Sequence, residues 1–162
     1  MDRTQREKRQ VTFCLKEAGM IQDALPELEA DEAEETRERT ILIVDDDESQ
    51  VAALCHRFES LGYRTLAAYE GKRGIDVAET RHPDIVLLDV GLPDITGFEV
   101  CEHLNNSAMT CDIPIIVVSG HERTDVVRRA RAAGGMFFLQ KPYDPNSLLA
   151  LVEHALREPD CW

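Results

Sequence analysis

No stretch of this 162-residue chain strings together the roughly 20 apolar residues that a membrane-spanning helix needs. Its basic start leads only into Val11-Thr12-Phe13-Cys14-Leu15 before Lys16-Glu17, too short for the core of a secretory signal. A cytoplasmic protein without membrane insertion is expected. The five cysteines (Cys14, Cys55, Cys101, Cys111 and Cys161) are odd in number and include no CxxC pair. That argues against a disulfide framework or a zinc site and for reduced thiols. Basic residues are scarce as well: 18 stand against 31 acids, for a formal charge of −13. This balance opposes attraction to nucleic acid or anionic membranes, so no direct nucleic-acid role is expected. Internal repeats are missing too.

What is present is enough for one domain of ordinary size: 43% of the residues are hydrophobic. Residues 1–39 stand apart, opening with the basic RTQREKRQ and closing with the acidic linker EADEAEETRER. Between them Val11, Cys14, Leu15, Ala18, Ile21, Leu25 and Leu28 recur at helical spacing, despite Gly19 and Pro26. Either a short amphipathic helix or a disordered arm accounts for this extension. From Thr40 the pattern turns regular. Apolar runs at 41–44, 65–68, 85–88, 115–118 and 137–139 alternate with helix-period segments near 49–61, 72–81, 97–105, 123–133 and 145–156. Five βα units predict an α/β domain over 40–158, with a five-stranded parallel doubly wound sheet and a short tail at 159–162. In such sheets functional residues gather where strands end.

The first run, Ile41-Leu42-Ile43-Val44, reads as a strand buried on both faces, yet it ends in Asp45-Asp46-Asp47-Glu48. Carboxylates about 4 Å apart repel by roughly 4 kcal/mol at an effective dielectric of 20, so a nearby positive group is implied. The alternative is that all four are solvated residues starting a helix, where acids suit the macrodipole. The other strand ends bear on the choice. The third run ends in Asp89, the fourth in Ser119, and the fifth in Lys141 followed by Pro142. A parallel sheet brings all of these to one edge. Oxygen ligands suit Mg²⁺, which takes one or two carboxylates and completes its shell with water and phosphate, while Ser and Lys offer donors to a phosphoryl group.

The motifs ILIVDDD, DIVLLDVGLPDITGFEV, IPIIVVSG and FFLQKPY, each at the expected strand end, resemble the receiver domain of two-component response regulators, of CheY-like, flavodoxin-like (βα)5 fold. The resemblance implies that Asp89 is the phosphoacceptor and that Asp45 and Asp46 bind Mg²⁺ together with Asp89 and the backbone carbonyl of Gly91. It implies that Ser119 and Lys141 bind phosphoryl oxygens, and that the peptide before Pro142 is cis. Asp47 and Glu48 are read as helix-starting residues instead. Gly91 and His121, each two residues beyond a site residue, occupy variable positions that influence how fast the phosphoryl group is lost. Phe138 stands where the family has its switch aromatic, moving as Ser119 turns toward the phosphoryl group.

The implied function is a phosphoacceptor module charged by a sensor histidine kinase or a histidine phosphotransfer protein. It is not an enzyme beyond its own phosphorylation and dephosphorylation. With no output domain expected after the last helix, the expected output is contact with a downstream protein through the face formed by 123–133, 137–139 and 145–156, the fourth helix, fifth strand and fifth helix (α4-β5-α5) of the expected fold. A homodimer is compatible with this reading. An aspartyl-phosphate hydrolase of haloacid dehalogenase type is the alternative, disfavoured because Gly91 stands where that family needs an acid. A nucleotide-binding module is disfavoured because DDDESQ replaces a glycine-rich phosphate loop.

Overall fold

The structure, a computed structural model, describes residues 38–120 and 137–157. The expected extension up to residue 37, the helix at 123–133, His121 and the tail lie outside the described residues. Five parallel strands form one sheet in the order β2-β1-β3-β4-β5: β1 (Thr40–Val44), β2 (Arg64–Ala68), β3 (Ile85–Asp89), β4 (Ile115–Ser119) and β5 (Phe137–Gln140). Composition already sorts centre from edge. The β3 and β4 sequences, IVLLD and IIVVS, are buried at every residue, as is β1 from Ile41 onward. By contrast the flanking RTLAA and FFLQ are mostly half-buried or exposed. A strand with helices on both faces has no solvent side, hence its uninterrupted apolar run.

Alternation along the central strands divides the core in two. Leu42, Val44, Val86, Leu88, Ile115 and Val117 pack on one side with Val77 and Ala78 of α2 (Gly71–Arg81) and Phe98, Val100, Cys101 and Leu104 of α3 (Gly97–Asn106). On the other, Ile41, Ile43, Ile85, Leu87, Ile116 and Val118 pack with Val51 and Phe58 of α1 (Glu48–Ser60) and with Leu148, Val152 and Ala155 of the last helix, Pro145–Arg157. The chain leaves β1 toward β2 and then returns past it to β3, so strand order reverses between β1 and β3. A crevice at the carboxyl ends of those two strands is where this topology places ligands.

The sequence expectations for strands and described helices agree with these bounds to within a residue or two. Asp47 is the N-cap of α1, its side chain accepting from the Ser49 and Gln50 amides, as expected for an acid that belongs to the helix rather than the site. Thr96 and Glu99 form a reciprocal capping box at the start of α3. Gly97 is required there, because a Cβ at that position would stand 2.2 Å from the Asp89 carbonyl oxygen. No described helix is long and apolar enough to cross a membrane.

Candidate acid and lysine site

Register explains why acids distant in sequence meet. Val44 pairs with Leu88 across β1 and β3, so the next step sets Asp45 beside Asp89, on the side chain alternation shared with Ile43 and Leu87. Like charges directly opposite on neighbouring strands are destabilising unless compensated. Lys141 compensates them. Its Nζ lies 2.7 Å from Asp45 Oδ2 and 2.7 Å from Asp89 Oδ1. The lysine follows β5, whose Phe137 and Leu139 share the same sheet face, and its amide donates to the Ser119 carbonyl at 2.8 Å. The Lys141–Pro142 peptide is cis, as the resemblance implied.

The carboxylates here are removed from water: Asp45 and Asp89 are 5% and 9% exposed. Stripping an ionised carboxylate of water costs several kcal/mol unless it is paired and hydrogen-bonded. Each has a second partner, Asp45 Oδ1 accepting from the Asp47 amide at 3.0 Å and Asp89 Oδ2 from the Gly91 amide. Burial of Lys141 works against its charge, but the hydrogen bonds to Asp45 and Asp89 outweigh that and hold its pKa above the ordinary lysine value. The cluster is a carboxylate–ammonium–carboxylate bridge at the open edge of the sheet.

Of the other residues singled out in the sequence, Ser119 is buried at the end of β4 and Asp46 is exposed next to Asp45. Phe138 is half-buried against the cluster that includes Val117, its register partner on β4. Gly91 is exposed two residues beyond Asp89. Among the described residues no three His, Cys, Asp or Glu side chains are gathered into a metal cage. Asp45 and Asp89 both bond Lys141, while Asp46 stands exposed beside them. Asp45, Asp46, Asp89 and the Gly91 carbonyl offer only oxygens, a donor set that fits Mg²⁺, which needs only one or two carboxylates and keeps several waters.

Sequence reasoning passed over Asp94. Its carboxylate crosses from the loop after β3 to the start of α2, accepting from the Gly71 amide at 2.7 Å and the Lys72 amide at 2.9 Å. The backbone hydrogen bond from Lys72, then that from Gly71, holds its carboxyl below the usual range. The Pro93-Asp94 turn was a visible signal, but nothing local in it names a partner 22 residues upstream.

Residues 41–153 match the response regulator receiver domain family. Protein PilH of Pseudomonas aeruginosa is 35% identical over 117 residues, covering 72% of this chain and 96% of PilH. The alkaline phosphatase synthesis transcriptional regulatory protein PhoP of Bacillus subtilis is 33% identical over 122 residues, 75% of this chain and 50% of that protein, so the chain spans about half the length of that regulator. Among solved structures, a CheY-like response regulator receiver domain protein from Methanospirillum hungatei JF-1 superposes with a TM-score of 0.71 at 27% identity, covering 75% of this chain and 96% of the other. Fold, edge chemistry and sequence likeness agree, and the chain belongs to the response regulator receiver domain family of two-component signalling.

Proposed function

We propose that this receiver accepts a phosphoryl group on Asp89 from a phosphohistidine. The observation that carries the reading is the Lys141 ammonium held 2.7 Å from both Asp45 Oδ2 and Asp89 Oδ1, a cation fixed beside the nucleophile. An Asp89 carboxylate oxygen attacks phosphorus, the P–N bond breaks, and the imidazole leaves with the electron pair and takes a proton. Lys141 follows the charge onto a phosphoryl oxygen, and the buried Ser119 hydroxyl serves another. Asp45, Asp46, Asp89 and the Gly91 carbonyl would hold Mg²⁺, which supplies charge neutralisation at the phosphoryl oxygens when bound. Water later cleaves the acyl phosphate and restores the carboxylate. The donor is a sensor histidine kinase or a histidine phosphotransfer protein, and both the exchange and the receiver belong in the cytoplasm.

Output passes to a downstream protein through the face that includes β5 and the last helix, with Ser119 and Phe138 as the switch pair. Residues 40–158 act as the signalling unit and 1–39 as an extension outside the chemistry. The test is intact mass after incubation with Mg²⁺ and acetyl phosphate. Wild type should gain one phosphoryl group and Asp89→Asn none, because an amide is a far poorer nucleophile than a carboxylate. Labelling of Asp89→Asn at the wild-type rate would overturn the assignment.

A further inference from the structure

Helix α2 begins without help from its own cap: Glu70, the N-cap residue, makes no side-chain cap hydrogen bond. The first amides of a helix are orphan donors at the positive end of its dipole and need an acceptor. Asp94 supplies it from 22 residues downstream, one carboxylate oxygen for Gly71 and the other for Lys72. Next to it the loop presses onto the helix, since a Cβ on Gly71 would lie 2.5 Å from Ile95 Cγ1. Beyond that point the Gly97 amide donates to the Val90 carbonyl at 3.1 Å, closing the loop back on the end of β3.

Between these anchors lies Gly91, whose amide donates to Asp89 Oδ2. We infer that Asp94 is a positioning residue for the acid site: by clamping the β3–α3 loop to the start of α2 it fixes the Gly91 peptide beside Asp89. The inference rests on the phosphoacceptor reading of Asp89 for its consequence, although the clamp itself is a property of the metal-free protein. Losing the clamp frees the loop to move the Gly91 donor and carbonyl off the carboxylate, while Asp45, Asp89 and Lys141 stay at the ends of their strands. A residue that merely caps α2 would leave Gly91 undisturbed.

The full chain with Asp94→Ala and Asp94→Asn separates the two roles. Amide hydrogen exchange and chemical shifts of Gly71, Lys72 and Gly91 are recorded without metal. Mg²⁺ is then titrated against the Gly91 shift and against the rate of phosphoryl gain from acetyl phosphate. Asp94→Ala should expose all three amides and raise the Mg²⁺ midpoint about tenfold, as for other residues that orient metal ligands. The saturating rate should fall less than the midpoint rises. Asp94→Asn, which keeps one acceptor oxygen, should lie between, and it decides the matter if the alanine variant does not fold. Faster exchange at Gly71 and Lys72 with an unchanged Gly91 shift and Mg²⁺ midpoint would overturn the inference. Should wild type gain no phosphoryl group, the proposed function falls, and the metal-free Gly91 comparison still decides the clamp.

Discussion

Removing the Lys141 ammonium should move metal binding and phosphorylation in opposite directions. In Lys141→Ala the carboxylates of Asp45 and Asp89 lose the cation that sits 2.7 Å from each. Breaking a buried ion pair from one side costs about 3–5 kcal/mol. With the lysine side chain 20% exposed, we take the lower figure, about 3 kcal/mol, which corresponds to a fall in Tm of roughly 10 °C for a domain of this size. A divalent cation on Asp89 would be repelled by the ammonium bonded to the same carboxylate, and charges of +2 and +1 several ångströms apart repel by about 1–2 kcal/mol even at the dielectric of water. Relieving it should tighten Mg²⁺ binding by roughly 10-fold. Phosphoryl gain should nonetheless slow by about 10²–10³-fold, the usual effect of deleting one donor to developing negative charge. The elevated lysine pKa sets the sign with pH. The pair's stabilisation is fully present below the ordinary lysine value and is lost as pH rises through the higher folded value, so the stability gap between wild type and variant should close in strong alkali. Calorimetric Mg²⁺ titration and intact-mass kinetics on the same samples provide the check. Mg²⁺ bound by the variant no more tightly than by wild type would refute the charge reasoning and move the metal away from Asp89.

Gly97→Ala should destabilise the domain at or above the top of the 1–3 kcal/mol range for overpacking, because its Cβ would meet the Asp89 carbonyl and the Val90 Cα, both backbone; urea unfolding measures it. Cys101 is buried, and burial pushes its thiol up to about 12, so it should resist alkylation at pH 8 in native protein while exposed Cys111 reacts, as peptide mass mapping would read. Asp47, Asp94 and Glu99 cap helix starts with carboxyls held below their usual range by hydrogen bonds, from the Gln50 side chain, the Lys72 amide and the Thr96 amide respectively. What they contribute is present above their unfolded pKa values and lost as pH falls through the lower folded ones, so first-turn amides of α1, α2 and α3 should lose exchange protection in acid before the central strands do. Ser119→Ala should still gain the phosphoryl group, more slowly for want of one donor, but lose most of the beryllofluoride-induced shifts along β5 and the last helix; identical shifts in both proteins would remove Ser119 from the switch.

Legibility followed the range of the physics. Buried parallel strands announce themselves as uninterrupted apolar runs, so β1, β3 and β4 and their terminal Asp45, Asp89 and Ser119 could be read directly. Edge strands were legible mainly through alternation with helices, since RTLAA alone would pass for a loop. The split of the acidic run into site and cap was also readable, because Asp47 stands where a helix needs an N-cap. The unequal treatment of the acid pair was not. Nothing in DDDE says that Asp45 turns to a lysine 96 residues away while Asp46 stays exposed, for that depends on the β1–β3 register and on where β5 ends. Asp94 was missed for the same reason. Its donors belong to a helix whose own N-cap leaves them unserved, and only the three-dimensional approach of the loop to Gly71 reveals it.

Alternation along the strands also bears on how the site is read at a distance. Asp45, Asp89 and Lys141 take the alternation of Ile43, Leu87 and Leu139, which pack toward α1 and the last helix, whereas Phe138 packs with Val117 toward α2 and α3. In the proposed switch a charge on Asp89 would have to act on the opposite sheet face to move Phe138. Two features provide the crossing. Ser119 ends β4 one step beyond Val118, the register partner of Asp89. The Lys141 amide is hydrogen-bonded to the Ser119 carbonyl, so the two groups that would meet a phosphoryl oxygen share one backbone link. A pull on either therefore bears on the β4–β5 seam, where Phe138 pairs with Val117. Because Ile116, Val117 and Val118 are buried and close-packed, in the proposed switch the yielding part of that seam would be half-buried Phe138 rather than the strand beside it.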